Sequence, residues 1–197
     1  MSTEEMSEKQ FWDWFLENKK GLENFIATES SDYSLYDLFA DKLKGYHKNL
    51  VPEVTVDEDN KFVLILSCDG MRDGIPFIVK LCDSAPKIDN WVIKKFRQPG
   101  IIDELNYNGI TFSKNDIKIK SNQNGEKTDL KIYISGYDKN DSRYKALAFL
   151  YLDHFVGEYH VMTKIGGIEF EKLGILTKTA DLITLEDLRN KLNLNIN

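Results

Sequence analysis

The chain has 197 residues, of which 42% are hydrophobic, 12% aromatic and 29% charged, and its formal net charge is −6. These figures exclude the disordered and fibrous classes and suit one domain, 1–197, that buries a full core. Lysine and arginine are scattered among acids rather than gathered on one element, so nucleic acid is not expected as a partner.

The opening MSTEEMSEKQ lacks the apolar core of a signal peptide, and no apolar run approaches the ~18 residues that span a bilayer, so no membrane role is expected. Two cysteines are too few for a disulfide framework and suit a reduced, cytoplasmic setting. Ser7 with Gln10 makes a capping-box pattern ahead of FWDWFLENKKGLENFIA, where Phe11, Phe15, Leu22 and Ile26 recur at helical spacing. After the polar break TESSDYS, the stripe Leu35, Leu38, Phe39 and Leu43 predicts a second helix, and the two form a hairpin.

Beyond Pro52 the period turns from helical to alternating. Val54 and Val56 precede a turn at 58–60, and FVLILSC follows, with Phe62, Leu64, Leu66 and Cys68 on one face and Val63 and Ile65 on the other. A strand apolar on both faces belongs inside a covered sheet. DGMRDG leads into IPFIVKLCDSA, where Pro76 suits a first helical turn, and NWVIKKFRQP reads as a strand, completing a strand, helix, strand unit with parallel strands.

NDIKIKSNQNGEKTDLKIYISG predicts a hairpin at Asn124-Gly125, with Lys118 and Lys120 facing solvent when Ile117 and Ile119 face inward. SRYKALAFLYLDHFV is apolar almost all round and reads as the most buried helix, capped by Gly157. EYHVMTKIGGIEFEKL reads as a second hairpin around Gly166-Gly167, and TLEDLRNKL as a terminal helix with Thr184 at its N-cap and Asp187 three residues on. The expected fold class is α+β: an N-terminal helical hairpin, a mixed β-sheet of about six or seven strands with one βαβ unit and hairpins, and one buried helix packed on the sheet.

LDHFVGEYHV holds two of the three histidines, His154 and His160, together with Asp153 and Glu158. Six residues apart across a helix end, the imidazoles match no compact metal spacing, so no metal is expected, and the stretch reads as a buried helix end turning into a strand. SCDGMRDG leaves the carboxyl end of a central strand, where open sheets collect ligands, so Asp69 and Asp73, with His154, are the candidate catalytic residues, and Arg72, Glu158 and His160 the candidate ligand-binding ones. The plainer reading is turn chemistry, since Asp-Gly pairs form turns without any ligand. No phosphate-cradling loop, dinucleotide fingerprint or nucleophile elbow is present, and no cofactor is expected. Cys68 and Cys82 sit in apolar surroundings as core residues rather than nucleophiles.

FWDWF invites a partner-binding reading for Trp12 and Trp14, set against packing onto the domain; two residues apart on a helix, they face different ways. FWDWF, NWVIKKFRQP and LDHFVGEY followed by the Gly-Gly pair resemble stretches of an uncharacterised bacterial protein family of unknown function, a likeness that implies no activity and no site residues. The excess of lysine with abundant asparagine and isoleucine fits a bacterial source. A cytosolic, non-catalytic protein-binding or regulatory module is the expected function, and an enzyme or small-ligand site at the Asp69–Asp73 turn is the alternative.

Overall fold

Ser7 starts the first helix because its hydroxyl accepts the Gln10 backbone N–H while the Gln10 side chain accepts the Ser7 N–H, which satisfies two donors that a helix start leaves bare. The computed structural model describes residues 6–100, 102–192 and 194. The chain divides into two compact units, Met1–Arg97 and Gln98–Asn197.

In the first unit, helix α1 (Glu8–Ala27) buries Phe11, Trp12, Phe15 and Leu22, and α2 (Ser34–Tyr46) buries Phe39, Leu43 and Tyr46. The helices pack as the expected hairpin. Leu38, placed in the apolar stripe by sequence, stays 46% exposed, and Tyr46 takes the next inward position. Strand β1 (Val51–Val56) runs antiparallel to β2 (Phe62–Ser67), and β2 runs parallel to β3 (Trp91–Lys95), giving the order β1-β2-β3.

The doubly apolar β2 is therefore the middle strand. Pro52 is tolerated inside β1 because an edge strand has one side of its ladder unused. Helix α3 (Ile75–Asp83), with a proline in its first turn, links β2 to β3 and completes the expected strand, helix, strand unit.

In the second unit, β4 (Glu104–Tyr107) and β5 (Ile110–Ser113) form a small hairpin. Strand β6 (Ile117–Asn124) pairs antiparallel with β7 (Lys127–Ser135), as Asn124-Gly125 predicted. Helix α4 (Ser142–Val156) covers the inner face of that pair, burying Leu147, Tyr151, Leu152 and Phe155 against Ile117, Ile119, Leu130, Ile132 and Ile134. The Tyr151 hydroxyl, buried with its ring, donates to the Phe112 carbonyl at 2.6 Å.

Gly157, at φ 86, stops α4 and starts a second helix, α5 (Glu158–Lys164), where a strand was expected. The nine-residue β8 (Ile165–Leu173) then pairs parallel with β7, giving the order β6-β7-β8, and α6 (Leu185–Lys191) closes the unit with the predicted Thr184–Asp187 capping box.

The fold class is α+β, but the eight strands among the described residues are shared among three small sheets rather than gathered into one mixed sheet. The expected hairpin at Gly166-Gly167 is absent because these glycines lie inside β8. A Cβ on Gly166 would run into Asp129 Oδ1, and that same oxygen accepts the Gly167 N–H at 2.6 Å. The Asp129 side chain reaching over from β7, not a turn, is what these glycines accommodate. Among the described residues no helix is long and apolar enough to cross a membrane.

Candidate functional site

The turn after β2 reverses the chain through two successive left-handed residues, Asp69 at φ 47 and Gly70 at φ 76. Ser67 Oγ accepts the Asp69 N–H at 3.1 Å, so the turn is hydrogen-bonded from within the strand. The Asp69 carboxylate accepts from Arg97 Nη2 at 2.6 Å, and Arg97 Nε reaches Glu53 on β1. With its side chain only 17% exposed, Arg97 ties two acids to the end of β3.

Asp73 accepts both contacts of the Asn49 amide, at 2.8 and 3.0 Å. Arg72 is exposed on a 3-10 turn, Arg72–Gly74. The second glycine of DGMRDG answers to packing, since a Cβ on Gly74 would stand 2.5 Å from Cys68 Cβ. Both carboxylates proposed as acid and base are thus engaged by donors of their own unit, in the manner of a structural turn. Cys68 is fully buried, and burial pushes the Cys82 thiol up to about 12, which removes its thiolate at neutral pH.

Around Gly157, His154 lies half-buried in the last turn of α4 and Glu158 is fully buried at the start of α5. His160 stands on α5 rather than on a strand, and its Nδ1 is buried without a hydrogen-bond partner. Burial, and then the Lys164 charge one turn on, lowers its pKa from the ordinary 6.5. Among the described residues no group of three or more His, Cys, Asp or Glu side chains is placed to hold a metal. Asp69, Arg72 and Asp73 belong to the first unit, and His154, Glu158 and His160 to the second.

Trp12 is 3% exposed, and its indole N–H donates to the Leu81 carbonyl at 2.9 Å and to Ser84 Oγ at 3.2 Å, which makes it part of the core of its own unit. Trp14 is half-buried and stacks on Phe39, with ring centroids 5.8 Å apart and planes at 10°.

The feature that sequence reading passed over is the segment 174–182. The chain leaves β8 at Leu173, on one side of β7, and by Ile183 it exchanges backbone hydrogen bonds with Ile119 of β6, on the other side. Between those points it crosses the sheet and encloses a crevice of about 580 Å³ against the outer face, where Lys120, Tyr133 and Glu171 supply one side chain from each strand. A smaller hollow of about 270 Å³ shares Lys120. Ile175 and Leu176 point entirely into solvent, at 105% and 97% exposure. The signal in the sequence was the pair Ile175-Leu176, two aliphatic residues with no helical or strand period around them.

Comparison of the chain with models of known protein families, with characterised proteins and with solved structures returns no match.

Proposed function

We propose that this chain is a non-catalytic binding module of the bacterial cytosol that engages a protein partner through the 174–182 segment and the outer face of the β6-β7-β8 sheet. The observation that carries the reading is the full exposure of Ile175 and Leu176, side by side at the rim of a crevice. Single exposed apolar residues are ordinary on any surface. Two adjacent aliphatic side chains left open to solvent gain by burial in a partner, as anchors of interfaces do. Two unlinked cysteines support a reducing compartment. The alternative at the Asp69–Asp73 turn draws no comparable support, because each carboxylate already has a donor.

The test is affinity purification of the full chain from a bacterial lysate, alongside an I175S/L176S variant whose circular dichroism is unchanged. A partner recovered in stoichiometric amount with the parent chain and lost with the variant supports the reading. Equal recovery from both, or retention of only a metal or metabolite, overturns it.

A further inference from the structure

We infer that the turn between α1 and α2 carries a docking site for an arginine side chain on a basic segment of a protein partner. The site belongs to the first unit and stands or falls independently of the 174–182 segment. Three aromatic rings meet at this turn. The Phe25 ring centroid lies 5.3 Å from that of Tyr33, with planes at 72°, and 5.8 Å from that of Tyr36, with planes at 22°. Tyr33 meets Tyr36 at 6.2 Å and 87°. The Tyr36 hydroxyl donates to the Pro52 carbonyl at 2.7 Å, which ties the cluster to β1. Tyr33 is thus held against two rings while 56% of it stays open to solvent. An aromatic surface ordered in advance loses little side-chain freedom on binding.

The charge around the rings selects the occupant. From Gly21 to Asp41 the sequence contains no lysine or arginine, whereas Glu23, Glu29, Asp32, Asp37 and Asp41 are all acids. Asp37 is exposed one helical turn beyond Tyr33, whose carbonyl accepts its N–H at 2.8 Å, so ring and carboxylate share one side of α2. Among the described residues neither Asp37 nor Glu29 has an ion-pair partner, and Asp32 accepts only from Ser34. On the β1 side, Glu53 and Asp69 share Arg97 between them. Burial, and then the charges of Glu53, Asp37 and Asp69, raise the Tyr36 pKa, the mark of a negative field at the cluster. That field repels phosphates and carboxylates and draws a cation.

Among the described residues the chain lays no cation of its own over these rings, although it lays Lys145 over Phe170 and Arg189 over Phe155. A guanidinium lying flat on the Tyr33 ring turns its N–H edge toward Asp37, which joins both features in one contact. A lysine ammonium is more strongly hydrated and has no flat face to stack. A quaternary ammonium offers the carboxylate no donor.

The experiment is fluorescence anisotropy with the full chain and a short labelled Gly-Ser peptide that carries arginines, beside a twin with lysine at each of those places. The arginine peptide is expected to bind about threefold more tightly than its twin, and both are expected to weaken as salt rises. Y33L and D37N, each with unchanged circular dichroism, should weaken the arginine peptide about threefold, and Y33L should narrow its advantage over the twin. E58Q removes one charge beyond the other end of β1 and should leave the affinity as it was.

Arginine and lysine peptides that bind alike, with Y33L and D37N no weaker than E58Q, would mean diffuse attraction to an acidic protein and overturn the site. Free methylguanidine displacing the peptide at equal concentration would make this a small-cation site and overturn the docking role. Binding of neither peptide overturns the inference, whatever the purification with I175S/L176S returns.

Discussion

Arg189 Nε donates to the carbonyl oxygen of Phe155, and its guanidinium lies 5.2 Å from the centroid of the Phe155 ring. The same side chain, 5% exposed, also reaches the carbonyls of Gly100 and His154. One cation on α6 thus serves carbonyls at the end of α4. R189A should destabilise the protein by about 2–4 kcal/mol, because it takes this buried donor from the Phe155 and Gly100 carbonyls. R189K should recover only part, since a single ammonium cannot reproduce the fork. A urea titration with unchanged slope and a lowered midpoint checks both; a midpoint within error of the parent would refute the capping role.

Trp12 and Trp14 should separate cleanly. W12A opens a large cavity and is expected to cost about 3–5 kcal/mol, whereas W12F, which keeps most of the volume and loses the bond to Leu81, should cost about 1 kcal/mol beyond the volume change. W14A, at a half-buried stacked position, should cost clearly less than W12A. Thermal unfolding of the three variants decides it, and equal losses for W12A and W14A would contradict the burial difference.

Gly166 and Asp129 form a testable pair. G166A drives a methyl into Asp129 and displaces it from the Gly167 N–H and from the Asn124 amide, which it accepts at 2.7 Å. The expected loss is about 1–3 kcal/mol. In a D129A background the same substitution should be markedly cheaper, and a double-mutant cycle reads the coupling directly. Additive effects would mean that the close approach does not govern the position.

Two pH windows should appear in stability. The pKa of His160 is lowered in the fold, so its neutral form is the native one while the unfolded chain takes up a proton near the ordinary 6.5. Stability is therefore full above that pH and declines as pH falls below it. Glu8 is lowered from 4.5 to about 2, first by the hydrogen bond it accepts from Lys80 and then by that from Tyr46. Its contribution is present above pH 4.5 and is lost as pH falls toward 2. H160Q should flatten only the upper window and E8Q only the lower, in denaturation midpoints followed across pH; a slope untouched by either change would refute the assignment.

Much of the fold was legible locally. The Ser7–Gln10 and Thr184–Asp187 boxes, the Asn124-Gly125 hairpin, the doubly apolar β2 and the all-round apolar α4 each carry their cause within a few residues, as a cap, a turn or a period. One local signal was overlooked: Asn108-Gly109, with φ 50 and φ 80, makes the β4–β5 hairpin by the same rule. The stretch 158–164 is short enough for helix and strand periods to compete. Burial of Glu158 and Met162, four residues apart, resolves it as a helix.

What the sequence by itself determined is the set of elements, because caps, turns and apolar periods act over distances that a short window contains. What only the tertiary structure decided is their use. Whether a Gly-Gly pair is a turn or a close approach depends on Asp129, far away in the chain. Whether Asp69 is a free acid depends on Arg97, and whether Trp12 is an anchor depends on Leu81. The same holds for the crevice under 174–182, since Lys120, Tyr133 and Glu171 become neighbours only when β6, β7 and β8 pair. Interactions between residues distant in sequence fall off with separation in space, and pairing of strands sets that separation.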